Sequence, residues 1–320
     1  MEIISLAPYL KETIWGGKRL MTQYGFETKL DNTAEGWFLS AHPDGPSIVL
    51  GGPYAGKTLA QVLETEGAGI LGTHNAEKQG FPILIKLIDA EKKLSIQVHP
   101  GDEYARRVEN ENGKTEAWYI VDAAPDAELV YGLKKKVSKN AFSKSIKEKK
   151  VESILNFVPV KNGDVVFIPS GILHAIGAGI FLAEVQQSSN TTYRVYDYDR
   201  PGKDGKPRDL DIDKASDVAV LSATHADFAP AGEPQTLAGA EKTFLTGCDY
   251  FAMYHLKTDG EYKDAADETS FVSLLVLDGE GELVCGAQTL PLAKGASIFI
   301  PANKGEYTLK GKLDILETRT

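Results

Sequence analysis

Two stretches of this chain repeat one another, and that self-similarity limits the possible architecture more than any other feature of the sequence. Trp118-Tyr119-Ile120-Val121-Asp122, followed by Ala127-Glu128-Leu129-Val130-Tyr131-Gly132, matches Leu274-Leu275-Val276-Leu277-Asp278, followed by Gly281-Glu282-Leu283-Val284-Cys285-Gly286. Further along, Gly163-Asp164-Val165-Val166-Phe167-Ile168-Pro169 matches Gly295-Ala296-Ser297-Ile298-Phe299-Ile300-Pro301. Each copy reads as strand, turn, strand, then a glycine turn, a strand and a proline. Short β-rich runs between turn residues recur at 81–88, 94–98, 117–121, 128–131, 165–168 and 273–277, the rhythm of a sandwich or barrel.

A mainly β chain follows, with two double-stranded β-helix (jelly-roll, cupin-like) barrels and a small helical insertion. Residues 1–230 are expected to form the first domain and 231–320 a second, cupin-like barrel. The boundary falls in 224–235, which contains Pro230, Gly232 and Pro234. Helical periodicity is confined to two places. Thr58-Leu59-Ala60-Gln61 has the form of a capping box, with Leu59, Val62 and Leu63 on one face. The second patch, near 138–157, puts Phe142 with Ile146, and Val151 with Ile154 and Leu155, opposite a solvated side supplied by lysines.

With 320 residues and 42% hydrophobic content, the chain buries a core without needing disulfides or a structural metal. The excess of 45 acidic over 35 basic side chains gives a net charge of −10, which argues against nucleic acid or anionic membranes as partners. A bound phosphate therefore needs a local basic pocket. No secretory pattern opens the sequence and no apolar run is long enough to span a bilayer, so a cytoplasmic location is expected. Cys248 and Cys285 lie far apart without CxxC spacing and read as buried free thiols.

Beyond the shared proline the copies diverge chemically, because the first has His174 where the second has Glu306. The first also contains Leu94-Ser95-Ile96-Gln97-Val98-His99-Pro100, in which Gln97 and His99 share one strand face and Ile96 and Val98 the other. Periodicity alone leaves open whether the Gln/His face lines the interior or meets solvent. Glu116, at the start of an apolar strand, reaches the same interior. Two imidazoles, a carboxylate and an amide oxygen form a candidate site for a divalent ion such as zinc. His42, His74, His225 and His255 lack such company and read as loop or core residues.

The chain resembles the type I mannose-6-phosphate isomerases, particularly their short bacterial form. The resemblance spans nearly the whole sequence. It rests on Trp15-Gly16-Gly17, Glu35-Gly36-Trp37-Phe38-Leu39-Ser40-Ala41-His42-Pro43, Leu94 to Pro100, Gly113-Lys114-Thr115-Glu116-Ala117-Trp118-Tyr119, Ile168-Pro169-Ser170-Gly171-Ile172-Leu173-His174-Ala175, and Thr191-Thr192-Tyr193-Arg194-Val195-Tyr196-Asp197-Tyr198. The resemblance implies one zinc ion per chain on Gln97, His99, Glu116 and His174, an active-site arginine at Arg194, and interconversion of mannose 6-phosphate and fructose 6-phosphate. Such a reaction moves a proton between C1 and C2 through an enediol and needs a base as well as a Lewis acid.

Glu184 is the preferred base, since it alternates with Leu182 and Gln186 on a strand after His174, although it reads equally as a partner orienting a metal ligand. Lys114, two residues before Glu116, is its rival. Arg194 is a candidate for the phosphate or enediolate, with an ion pair to Asp197 or Asp199 as its structural alternative. Lys86, set among apolar residues, and Ser95, on the face of Gln97 and His99, are candidate substrate contacts. Two other classes fit the same ligands, a non-haem iron dioxygenase on a cupin barrel and a non-catalytic sugar-binding cupin.

Overall fold

The computed structural model describes residues 1–78, 80–202, 205–225 and 227–320. The chain is mainly β, built on antiparallel pairing in the sheets described below. It separates into two compact units. One consists of Met1–Leu10, Gly36–Leu87 and Ala229–Thr320; the other consists of Lys11–Glu35 and Ile88–Phe228. Ala226, inside the expected boundary 224–235, lies outside the described residues.

In the first unit, a nine-stranded sheet is built around the long strands Ala252–Ala266, Val272–Cys285 and Gly305–Arg319. Its alternating inward residues, among them Val272, Leu274, Val276, Ile298, Ile300, Leu309, Leu313 and Ile315, form one apolar core. The strand Ile4–Ala7 closes onto Ser297–Ile300, with Ile4 opposite Phe299. Here the capping box forms in full. Thr58 Oγ1 accepts from the Gln61 amide and Gln61 Oε1 accepts from the Thr58 amide, so the helix Leu59–Glu66 starts where the sequence places it.

In the second unit, a five-stranded sheet runs in the order Tyr193–Tyr196, Ile96–Val98, His174–Ala175, Glu128–Leu133, Leu155–Pro159. A further ladder places Glu116–Ala123 between Val165–Ile168 and Ile180–Gln187. The expected helix over 138–157 is shorter. It spans Lys139–Lys147, capped by the Ser138 hydroxyl, with Phe142 and Ile146 buried. Lys149 takes a left-handed φ of 58° and ends the helix, and Val151–Ser153 is a single 3-10 turn. Leu155 then opens a strand instead of sharing a helical face with Val151 and Ile154.

The repeat holds down to individual hydrogen bonds. Val165 opposes Tyr119 and Val166 opposes Trp118, just as Ser297 opposes Leu275 and Ile298 opposes Leu274. The Gly163 amide donates to the Ile120 carbonyl and the Gly295 amide to that of Val276. Both turn glycines are left-handed, at φ 87° and 86°, which an L side chain adopts only with strain. The ladders slip at matching places, skipping Val121 in one copy and Leu277 in the other, and then set Glu184 opposite Trp118 and Glu317 opposite Leu274. One difference is clear: the second copy runs unbroken through Val272–Cys285, where the first turns between Ala123 and Glu128.

Candidate metal centre

The strand register of the second unit gathers the chemistry. His174 opposes Gln97, and Gln97 in turn opposes Arg194, so three directly paired residues share one face of the five-stranded sheet. Ile96 and Val98 are fully buried on the opposite face, which settles the orientation that periodicity left open. Glu116 begins the neighbouring ladder and is wholly buried.

Among the described residues, His99, Glu116 and His174 bring ligand atoms within 4.8 Å of one another. His174 Nε2 lies 3.3 Å from Glu116 Oε1, and His99 Nε2 lies 3.5 Å from Glu116 Oε2. The tautomers follow from the other ring nitrogens. His99 Nδ1 is 2.9 Å from the Thr191 carbonyl oxygen and His174 Nδ1 is 2.8 Å from that of Ile172. A carbonyl only accepts, so each Nδ1 carries the proton and each Nε2 presents a lone pair. Burial also pushes the His174 pKa down to about 4, keeping the ring neutral.

The two Nε2 lone pairs therefore face each other across 3.2 Å beside a buried carboxylate, a donor set that a divalent cation satisfies. Gln97 Nε2 lies 3.4 Å from His174 Nε2, and turning the amide about its last bond brings Oε1 to the same place.

Lys114 penetrates the cluster. Its buried ammonium donates to His99 Nε2 at 3.0 Å and to Glu116, and stands 4.0 Å from Glu184 Oε1. The other Glu184 oxygen accepts from the Trp118 indole at 3.0 Å. Glu184 and Lys114, the rival bases, are thus direct neighbours. Trp118 bears no ligand chemistry of its own in the sequence, and its signal is only that a buried indole N–H requires an acceptor. The Thr191 and Ile172 carbonyls that fix the tautomers leave no sequence signal.

Arg194 is half-buried. Its amide donates to Asp211 and its Nη1 to the Asp209 carbonyl, at 2.9 and 3.2 Å. Burial, followed by repulsion from Arg208, lowers its pKa. Asp197 is bonded by Arg200 and Arg208 and acts on Arg194 through its charge, while Asp199 is paired with Lys149. Ser95 is buried just ahead of its strand. Lys86 is buried in the other unit, its ammonium 5.0 Å from the centre of the Trp37 ring. Of the remaining histidines, His42 packs edge-on to Trp37, His74 meets the Thr320 carbonyl and His255 meets Asp314. Both cysteines are free.

Two family models match the chain. One is described as Phosphomannose isomerase type I, catalytic domain, over residues 3–146, and the other as Mannose-6-phosphate isomerase, cupin domain, over residues 240–319. The mannose-6-phosphate isomerase of Streptococcus mutans is 37% identical, with 100% of this chain and 98% of that one covered. The mannose-6-phosphate isomerase ManA of Bacillus subtilis is 36% identical, with 97% and 96% covered. A crystal structure of the mannose 6-phosphate isomerase from Bacillus subtilis matches with a TM-score of 0.91 at 38% identity, covering 99% of each chain. A phosphomannose isomerase variant from Salmonella typhimurium shares the fold at 18% identity and a TM-score of 0.78.

Proposed function

The chain belongs to the type I mannose-6-phosphate isomerases, and from that premise we propose that one zinc ion on Gln97, His99, Glu116 and His174 serves a proton transfer carried by Glu184 and Lys114. The enzyme interconverts mannose 6-phosphate and fructose 6-phosphate and depends on a metal. The single observation carrying the site is the convergence of two imidazole lone pairs and a buried carboxylate on one point.

When bound, the ion would supply Lewis acidity against the negative charge that develops in the enediolate. The chain's own groups do the rest. Glu184 takes the proton from C2 of the aldose and returns it to C1, held in place by the Trp118 indole. Lys114, at hydrogen-bond distance from two ligands and close to Glu184, neutralises charge on oxygen and passes protons between oxygens. Arg194, on the sheet face of Gln97 and His174, presents a permanently charged fork to the phosphate. Burial of His99, Lys114, Glu116, His174 and Glu184 keeps bulk water from the reacting carbon. Ser95, buried in the same unit, is a further proposed substrate contact.

The repeat also supports two cupin-like barrels, a catalytic domain within 1–230 and a metal-free one at 231–320. The two family models fall on either side of the proposed boundary. A cytoplasmic location agrees with the substrate. Full-length isomerase relatives weigh against the dioxygenase and the non-catalytic readings.

A coupled assay for fructose 6-phosphate, run before and after chelation, tests the centre. Activity is expected to vanish with chelator and return with zinc, and elemental analysis should find zinc in the purified protein. Full activity in metal-stripped protein would falsify the metal mechanism.

A further inference from the structure

The short segment Gly113-Lys114-Thr115-Glu116 carries both a metal ligand and the buried ammonium, and it comes out of a loop. A lysine side chain has four rotatable bonds, so its ammonium finds a fixed place only if its backbone is fixed first. Every amide from Gly113 to Thr115 is bonded. Gly113 N–H donates to Asp102 Oδ1 at 2.8 Å, Lys114 N–H to the Pro100 carbonyl at 3.0 Å, and Thr115 N–H to Gln187 Oε1 at 2.8 Å.

Gln187 closes this arrangement. Its own amide donates to the Thr115 carbonyl at 3.1 Å, so a single residue holds both polar groups of the Thr115 backbone. Its side-chain Nε2 donates at 3.0 Å to Asp102 Oδ1, the same oxygen that accepts from Gly113. The fit tolerates no extra atom, because a Cβ on Gly113 would lie 2.5 Å from the Asp102 nitrogen and 2.7 Å from the Gly101 carbonyl carbon. Gln187 is buried, and every polar atom of its side chain has a partner.

We propose that Gln187 and Asp102 are positioning residues for the isomerisation: together they lock the Thr115 peptide so that Lys114 and Glu116 point jointly at the metal centre. Neither touches substrate or metal; each acts through the backbone between the two functional side chains. The inference rests on the proposed roles of Lys114 and Glu116.

Gln187→Met keeps the volume and removes both side-chain hydrogen bonds. Its kcat is expected to fall by about 10- to 100-fold, its zinc affinity in chelator competition to weaken by about tenfold, and KM to stay within about twofold. Gln187→Glu keeps the acceptor for Thr115 but sets a carboxylate against Asp102, so it should lose activity too. Asp102→Asn keeps an amide oxygen for both Gly113 N–H and Gln187 Nε2 and should hold kcat and zinc affinity within about threefold of the parent enzyme, whereas Asp102→Ala removes the shared acceptor and should lose both as Gln187→Met does. A Met variant that is less stable yet retains kcat and zinc affinity within about twofold overturns the proposal, as does an Asp102→Ala variant that retains both. Failure of the underlying reading shows separately, as metal-independent turnover by the unmodified enzyme.

Discussion

At the residue scale the centre depends on which hydrogen each polar atom owns. Trp118 is the clearest case outside the ligands, because its ring packs edge-on to His174 at 5.5 Å while its N–H holds Glu184. Trp118→Phe keeps most of the ring and deletes the donor. The loss of one buried hydrogen bond to a charged group should lower stability by about 1–3 kcal/mol, and misorienting the carboxylate should lower kcat by about tenfold with little change in KM. Thermal unfolding and steady-state kinetics check the two halves separately, and an unchanged kcat would remove Glu184 from the proton transfer. Residue type brought His99, Glu116 and His174 forward in the sequence, since few groups bind a divalent ion and His174 stands where the second copy has Glu306. It could not reveal what Arg194 bonds to, because Asp197 and Asp199 sit close to it in sequence yet are claimed by Arg200, Arg208 and Lys149.

At the element scale, the strands of the two copies were readable because a glycine turn and a proline bracket each strand Val165–Ile168 and Ser297–Ile300 at the same offsets. The end of the helix Lys139–Lys147 was not, because the residue that breaks it is a lysine in a left-handed conformation, which carries no compositional signal. Nor was the assembly of the compact units, since the pairing of Ile4 with Phe299 joins residues almost a full chain length apart. The repeated turn allows a direct measurement. At Gly163 a Cβ would meet nothing within 4 Å, so Gly163→Ala isolates backbone strain from crowding. The substitution should lower stability by about 1–2 kcal/mol, read as a lower urea midpoint at constant slope. Turnover should be unaffected, because Gly163 belongs to no part of the centre.

At the scale of the molecule, the two copies resolve one problem in different ways. Each ladder sets a buried carboxylate at the same position, Glu184 in one and Glu317 in the other. Lys114, metal ligands and an indole surround the first, whereas Glu317 meets Lys242 at 2.8 Å and Arg319 at 2.6 Å, with Asp264 completing the network. Burial pulls the Lys242 pKa down, but Glu317 and Asp264 outweigh it and raise the value above 10.5. Burial pushes Asp264 up, but Lys242 and Arg319 outweigh it and hold the carboxyl below 3.8. By linkage, the lysine's stabilisation is complete below its unfolded value and fades as pH rises through the folded one. The aspartate's is complete above its unfolded value and fades as pH falls through the folded one. Glu317→Gln removes one anion and leaves two partly buried cations sharing Asp264, which should lower stability by about 2 kcal/mol at neutral pH. Because burial then opposes the Lys242 charge with less to offset it, the alkaline fall in stability should begin at lower pH in the variant. Urea unfolding between neutral and strongly alkaline pH measures both effects, and an alkaline limb that does not move would mean that Glu317 is not what keeps Lys242 charged.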